Sequence, residues 1–175
     1  MTPDSIVSGE PRAINLIGMP GAGKSTVGVL LAKLAGLGFV DTDLEIQYRE
    51  QASLQQILAV QGYQRLRDIE AATLAQIPLA GLVVATGGSA VYSPASMERL
   101  AAAGPIVYLQ ADLATLEARV RSQPLRGIAS PLGQSLGEIF AERTPLYQRY
   151  ADITLVTQSL PAQQLAEEIY EKVNQ

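Results

Sequence analysis

Gly18-Met19-Pro20-Gly21-Ala22-Gly23-Lys24-Ser25-Thr26 carries the most specific chemistry in the chain, because it satisfies G-x-x-x-x-G-K-[ST] in full. Its glycines let the backbone curl until successive N–H groups face one point, which makes a concave anion site. A helix starting near Lys24 adds the positive end of its dipole. Such a cradle suits the phosphates of a nucleotide. Gly21, Ala22, Gly23 and Thr26 would line it, Lys24 would reach the β- and γ-phosphates, and the Ser25 hydroxyl would ligate Mg²⁺.

Asp41 and Asp43 stand two apart at the end of an apolar run. If both belong to a strand, the period of two points them to one face, at the carboxyl end where α/β sheets bind ligands. Adjacent carboxylates repel unless a cation or proton lies between them. Mg²⁺ would relieve Asp41 and leave Asp43 to accept a substrate hydroxyl; the alternative is that one of the pair only caps the next helix.

Arginines form the second group of candidates. Glu70 falls on the stripe Leu66, Glu70, Leu74, Ile77 and so faces inward, with Arg67 three residues earlier as its expected partner. That pair could hold a guanidinium for a ligand carboxylate or could be a structural ion pair. Arg143 lies on the stripe Leu136, Phe140, Arg143, Tyr147, where a cation needs an anion, either a ligand carboxylate or a buried Asp. Gly87 and Gly88 follow an apolar run and would permit close backbone approach to a ligand, or simply make a turn. Arg126 sits in a Pro- and Gly-containing stretch, 122–134, of lid type. There it would neutralise charge on a transferred phosphoryl group, or be a solvated loop residue. Arg119 and Arg121 are candidates for contact with the nucleotide base.

The elements needed to position these groups alternate between types. Strands are expected at 13–17, 38–40, 82–85, 105–109 and 153–156. Helices are expected at 24–36, 43–50, 53–60, 63–77, 94–103, 112–121 and 135–150, the last bent at Pro145, with a final helix opened by Pro161. The strands lack polar alternation, as buried parallel strands do, so an α/β fold with a mostly parallel sheet is expected. With 175 residues, a single domain is expected over 1–175, its first 11 residues a loose tail.

Composition narrows the chemistry. Apolar residues make up 47% and charged residues 17%, a globular balance. A net charge of -4 argues against nucleic acid as a partner. Without cysteine there is neither a disulfide nor a thiolate metal site, and without histidine any general base must be Asp or Glu. No apolar run is long enough to span a membrane, and Met1 to Arg12 lacks the pattern of a secretory leader, so a cytoplasmic location is expected. Monomer is the default expectation.

GMPGAGKST (18–26), DTD (41–43), G-x-x-x-L-R-x-I-E (62–70), GGSAVYSP (87–94) and ERTPLY (142–147) together resemble the shikimate kinase family, over about residues 13–157. The resemblance implies a three-layer P-loop kinase fold: a five-stranded parallel sheet in order 2-3-1-4-5, helices on both faces, and a lid loop. It implies phosphoryl transfer from ATP, with Mg²⁺, to the 3-hydroxyl of shikimate. Asp43 then matches the carboxylate that contacts the substrate hydroxyls. Arg67 and Arg143 match the arginines that hold its carboxylate, and Gly87 and Gly88 the glycines beside it. Ser25 and Asp41 match the Mg²⁺ side, and Arg126 the lid arginine.

Several positions depart from the family pattern. Ser89 stands where a third glycine is usual, Leu58 and Leu66 where phenylalanines are usual, and Gly127-Ile128-Ala129 where the lid arginine is usually followed by P-L-L. Gln158-Ser159 replaces a basic residue of the adenine loop. A kinase for another small hydroxy or amino acid such as homoserine, a nucleoside-monophosphate kinase and a non-catalytic nucleotide-binding regulator are the competing readings.

Overall fold

The computed structural model describes residues 12–122 and 127–175. The loose tail expected over 1–11 and the lid arginine Arg126 lie outside the described residues. Five strands, β1 (Ile14–Ile17), β2 (Gly38–Asp41), β3 (Leu82–Ala85), β4 (Ile106–Gln110) and β5 (Ile153–Val156), form one parallel sheet in the order β2-β3-β1-β4-β5. β1, β3 and β4 are almost wholly buried, whereas the edge strands β2 and β5 are partly exposed, which matches their place in the sheet.

The helices are α1 (Lys24–Ala35), α2 (Thr42–Glu50), α3 (Leu54–Gln76), α4 (Pro94–Ala103), α5 (Leu113–Arg121), α6 (Leu136–Tyr150) and α7 (Ala162–Val173), with a 3₁₀ turn at Ala90–Tyr92. The connection through α1 runs from β1 towards the β2 edge; the one through α4 runs from β3 the opposite way, to β4. Right-handed crossovers in opposite directions put α1 and α4 on opposite faces. α7 packs on α1, whereas α3 packs on α4. The chain therefore has three layers, and its switch in direction lies between β1 and β3, the place where such sheets bind ligands.

Local chemistry explains most boundaries. Gly36 ends α1 in the left-handed conformation at φ 67°. Ser53 and Gln56 form a reciprocal capping box at α3, as do Ser135 and Glu138 at α6. Ser93 caps α4 with Pro94 in the first turn, and Asp112 caps α5. The two helices expected at 53–60 and 63–77 meet at a kink, with Gly62 at φ 80° and ψ 170°. α6 runs unbroken through Pro145.

Two apolar clusters divide the interior. The larger one surrounds the sheet and includes Leu16, Leu31, Val84, Met97, Leu109 and Ile169. The smaller joins Ile46 of α2 to Leu54, Ile57, Leu66 and Ile69 of α3 and to Ala129. It fixes the helical insertion between β2 and β3, and the segment after residue 126, over the carboxyl ends of the strands.

Candidate active site

The phosphate loop joins β1 to α1. Gly18, Gly21 and Gly23 have φ of 147°, 84° and 96°, values that a side chain resists and glycine takes freely. Lys24 is buried at the start of α1, and its Nζ donates to the loop carbonyls of Gly18 (2.8 Å) and Met19 (2.9 Å). A cavity of about 310 Å³ opens beside the loop. Its walls are Gly21 to Val27, Arg119, and Thr157, Leu160, Ala162 and Leu165 from the β5–α7 junction. Arg119 donates to the Gly21 carbonyl at 3.1 Å. Arg121, by contrast, pairs with Glu117 on the exposed side of α5 and does not line the cavity. The β5–α7 wall has no chemical signature; only the unpartnered buried hydroxyl of Thr157 marks it.

Asp41 uses both oxygens. Oδ1 accepts the Asp43 backbone N–H at 2.9 Å and caps α2, and Oδ2 accepts the Ser25 hydroxyl. The helix-cap reading of Asp41 holds, and its other oxygen lies beside Ser25, the residue expected with it on the Mg²⁺ side. The strand argument for Asp43 needs correcting, because β2 ends at Asp41 and Asp43 lies in the first turn of α2. The helix, not a strand period, turns Asp43 into a second cavity. Among the described residues, no group of three or more acidic side chains could hold a metal by itself. A hard cation needs about six oxygens, so Ser25 and Asp41 suit one that arrives with phosphates.

That second cavity lies under Lys24, which lines both. Asp43, Leu66, Glu70, Gly87, Gly88, Ser89, Arg143 and the 127–129 segment close around it, leaving about 30 Å³. Gly87 has no room for a side chain: a Cβ there would overlap Glu70 Oε1 and sit 2.9 Å from Asp43 Oδ1. A Cβ on Gly88 would lie 2.9 Å from Arg143 Nη1. The segment is pinned from two sides. Thr42 Oγ1 accepts the Gly87 N–H at 2.8 Å, and the buried Tyr147 hydroxyl donates to the Gly88 carbonyl at 2.6 Å.

Arg143 and Arg67 converge. Arg143 is 1% exposed and donates from Nη2 to the Ala129 carbonyl at 2.8 Å; Arg67 donates from Nε to the same oxygen at 3.2 Å. The expected pairing of Arg67 with Glu70 is not what forms. Arg67 lies over the Tyr92 ring at 3.7 Å, and Glu70 instead accepts the hydroxyl of Ser89 from across the fold. Burial raises the Glu70 carboxyl to about 7, helped by the neighbouring Asp43 and opposed by Ser89, Arg143 and Lys24. Its Oε1 has no hydrogen-bond partner. Leu58 is also displaced from expectation: it lines a separate apolar cavity with Tyr63, Ile128 and Leu136, and only Leu66 borders the site.

A family profile described as "Shikimate kinase" matches residues 20–174. The chain belongs to the shikimate kinase family. It is 40% identical over 162 residues to a shikimate kinase of Pseudomonas aeruginosa, covering 90% of this chain and 94% of that one. It is 40% identical over 146 residues to a shikimate kinase of Thiobacillus denitrificans, covering 81% and 79%. Among solved structures, a shikimate kinase from Acinetobacter baumannii in complex with shikimate superposes with TM-score 0.83 at 32% identity, covering 94% of this chain and 93% of that one. The Aquifex aeolicus shikimate kinase gives 0.77 at 28%, covering 93% and 96%. Membership brings phosphotransferase activity with ATP as donor, in keeping with the nucleotide cavity. No helix among the described residues is long and apolar enough to cross a membrane.

Proposed function

We propose that the protein transfers the γ-phosphoryl group of ATP to the 3-hydroxyl of shikimate. The observation that carries this reading is the meeting of Arg67 and Arg143 on the Ala129 carbonyl oxygen, at the wall of a cavity that Arg143 and Ala129 line together with Asp43 and Lys24. Two guanidiniums suit a carboxylate, Asp43 suits a hydroxyl, and Lys24 connects that hydroxyl to the phosphates. The shikimate-bound relative of the same fold supports the choice of acid. Homoserine, a nucleotide acceptor and a regulatory role gain no comparable observation.

In this reading ATP lies along Gly21, Ala22, Gly23, Lys24, Ser25 and Thr26, with Arg119 at the base side. Ser25 and Asp41 would hold Mg²⁺, which when bound would supply charge neutralisation for the phosphates. Gly87 and Gly88 let the acceptor ring approach the backbone. Asp43 takes the proton of the attacking hydroxyl, since the chain has no histidine to do so. Lys24 stabilises the charge of the transferred group, and Arg126 is assigned the same task on the strength of its sequence position. All these groups belong to one chain, so a single-domain monomer suffices. An ATP-consuming metabolite kinase of this kind works where ATP is made available, in the cytoplasm.

Phosphorus NMR of the product tests the proposal. A phosphate monoester coupled to the C3 proton of shikimate is expected. An ester at another hydroxyl, or inorganic phosphate alone, would refute the assigned geometry.

A further inference from the structure

Arg67 and Arg143 come from different helices, carry like charges, and nevertheless donate to one oxygen. Between them stands a residue that the phosphoryl chemistry leaves unexplained. Tyr92 ends the 3₁₀ turn after the glycine segment. Its ring centroid is 3.7 Å from the Arg67 guanidinium carbon and 5.4 Å from that of Arg143. Its hydroxyl donates to the Glu142 carboxylate on α6, and Gln134 holds the other Glu142 oxygen at 3.1 Å. Tyr63, one turn before Arg67 on α3, lies 5.1 Å from the same guanidinium.

An aromatic face attracts cations through its quadrupole. A ring within cation–π reach of two guanidiniums offsets part of their repulsion and helps fix the plane of Arg67, whose long side chain is only partly buried. We propose that Tyr92 is a positioning residue for the acceptor carboxylate: its ring aligns Arg67 and Arg143 on one point. This rests on the acceptor being a carboxylic acid, as proposed above. Tyr92 lines neither the nucleotide cavity nor the cavity of Asp43 and Arg143.

The test is steady-state kinetics of the whole protein with Tyr92→Leu, which removes the ring, and Tyr92→Phe, which keeps it. Shikimate and its neutral methyl ester serve as acceptors at saturating Mg-ATP. Tyr92→Leu should raise the KM for shikimate about tenfold, within the range of a desolvated cation–π contact, with kcat and the KM for ATP within about twofold. Tyr92→Phe should restore KM to within about twofold, and the ester should be affected by less than about twofold, since only the carboxylate meets the arginines. An unchanged KM in Tyr92→Leu, an equal loss in Tyr92→Phe, or an equal loss for the ester would overturn the proposal. Tyr92→Met fills the space without a ring face and repeats the test should Tyr92→Leu not fold. If the unaltered protein ignored shikimate, the functional reading would fall first. Calorimetric titration of benzoate into the same variants would then decide Tyr92: a Kd weakened about tenfold supports it, and an equal Kd overturns it.

Discussion

Arg143 Nη2 donates to the Ala129 carbonyl oxygen at 2.8 Å, and Arg67 Nε reaches the same oxygen, so the 127–129 backbone occupies the point proposed for the acceptor carboxylate. The space left beside it, about 30 Å³, admits water and no six-membered ring. Gly127 makes this seating possible. A Cβ there would lie 2.6 Å from the Leu54 carbonyl carbon and 2.7 Å from the Gln55 nitrogen. On the proposed function, binding of the acid would displace a contact the protein makes with itself.

Gly127→Ala should loosen that contact. A population no longer closed on its own carbonyl binds the acid without the cost of opening. The KM for shikimate is expected to fall about threefold while the KM for ATP stays fixed. A rise in the shikimate KM would show that the 127–129 segment supports the acid rather than competes with it.

Arg143→Lys should raise the KM for shikimate at least about tenfold, because an ammonium cannot reproduce the two-pronged geometry of a guanidinium. Its effect on the KM for ATP should be under about twofold, as Arg143 lines only the acceptor cavity. Equal losses for both substrates would contradict the division into two cavities.

Asp43→Asn removes the base while keeping the shape. Turnover is expected to drop by about 10²-fold or more, with ATP binding retained. A near-normal rate in this variant would deny Asp43 the role of proton acceptor.

Glu70 links pH to stability. Its carboxyl is raised from 4.5 to about 7 by burial, so the folded chain holds the proton more tightly than the unfolded one. The stabilisation is full below 4.5 and is lost as pH rises through about 7. It should amount to about 3 kcal/mol across that window. Glu70→Gln keeps the Ser89 contact and removes the titration. The stability difference, wild type minus Glu70→Gln, should therefore grow from pH 8 to pH 5 in denaturant titrations. A difference independent of pH would place the Glu70 carboxyl at its ordinary value.

Local features were legible in the sequence, and contacts across the fold were not. The phosphate loop, the caps at Ser93 and Asp112 and the kink at Gly62 depend on neighbours in the chain, and they stand where the residues indicated. Arg143 was legible because a cation on an apolar stripe demands an anion. Arg67 was found through Glu70, yet the two do not pair: Ser89 and Tyr92 reach them from another element, and helical spacing carries no trace of that. Asp43 faces the site by virtue of α2 rather than of β2, because the strand stops at Asp41, two residues before it. The Thr157 to Leu165 wall of the nucleotide cavity is made of ordinary residues, so nothing in the sequence marks it. Leu58 packs against the same apolar cluster as Leu66 but lines a separate cavity, a placement that depends on contacts across the fold.

The most direct measurement of the central claim is ADP release by the purified protein with Mg-ATP, with and without shikimate, and with homoserine and other small hydroxy acids in parallel. Saturable, shikimate-dependent turnover of about 1 s⁻¹ or faster is expected, within the usual range of kinases. Turnover confined to a different acid, or ATP binding without turnover on any acceptor, would contradict it.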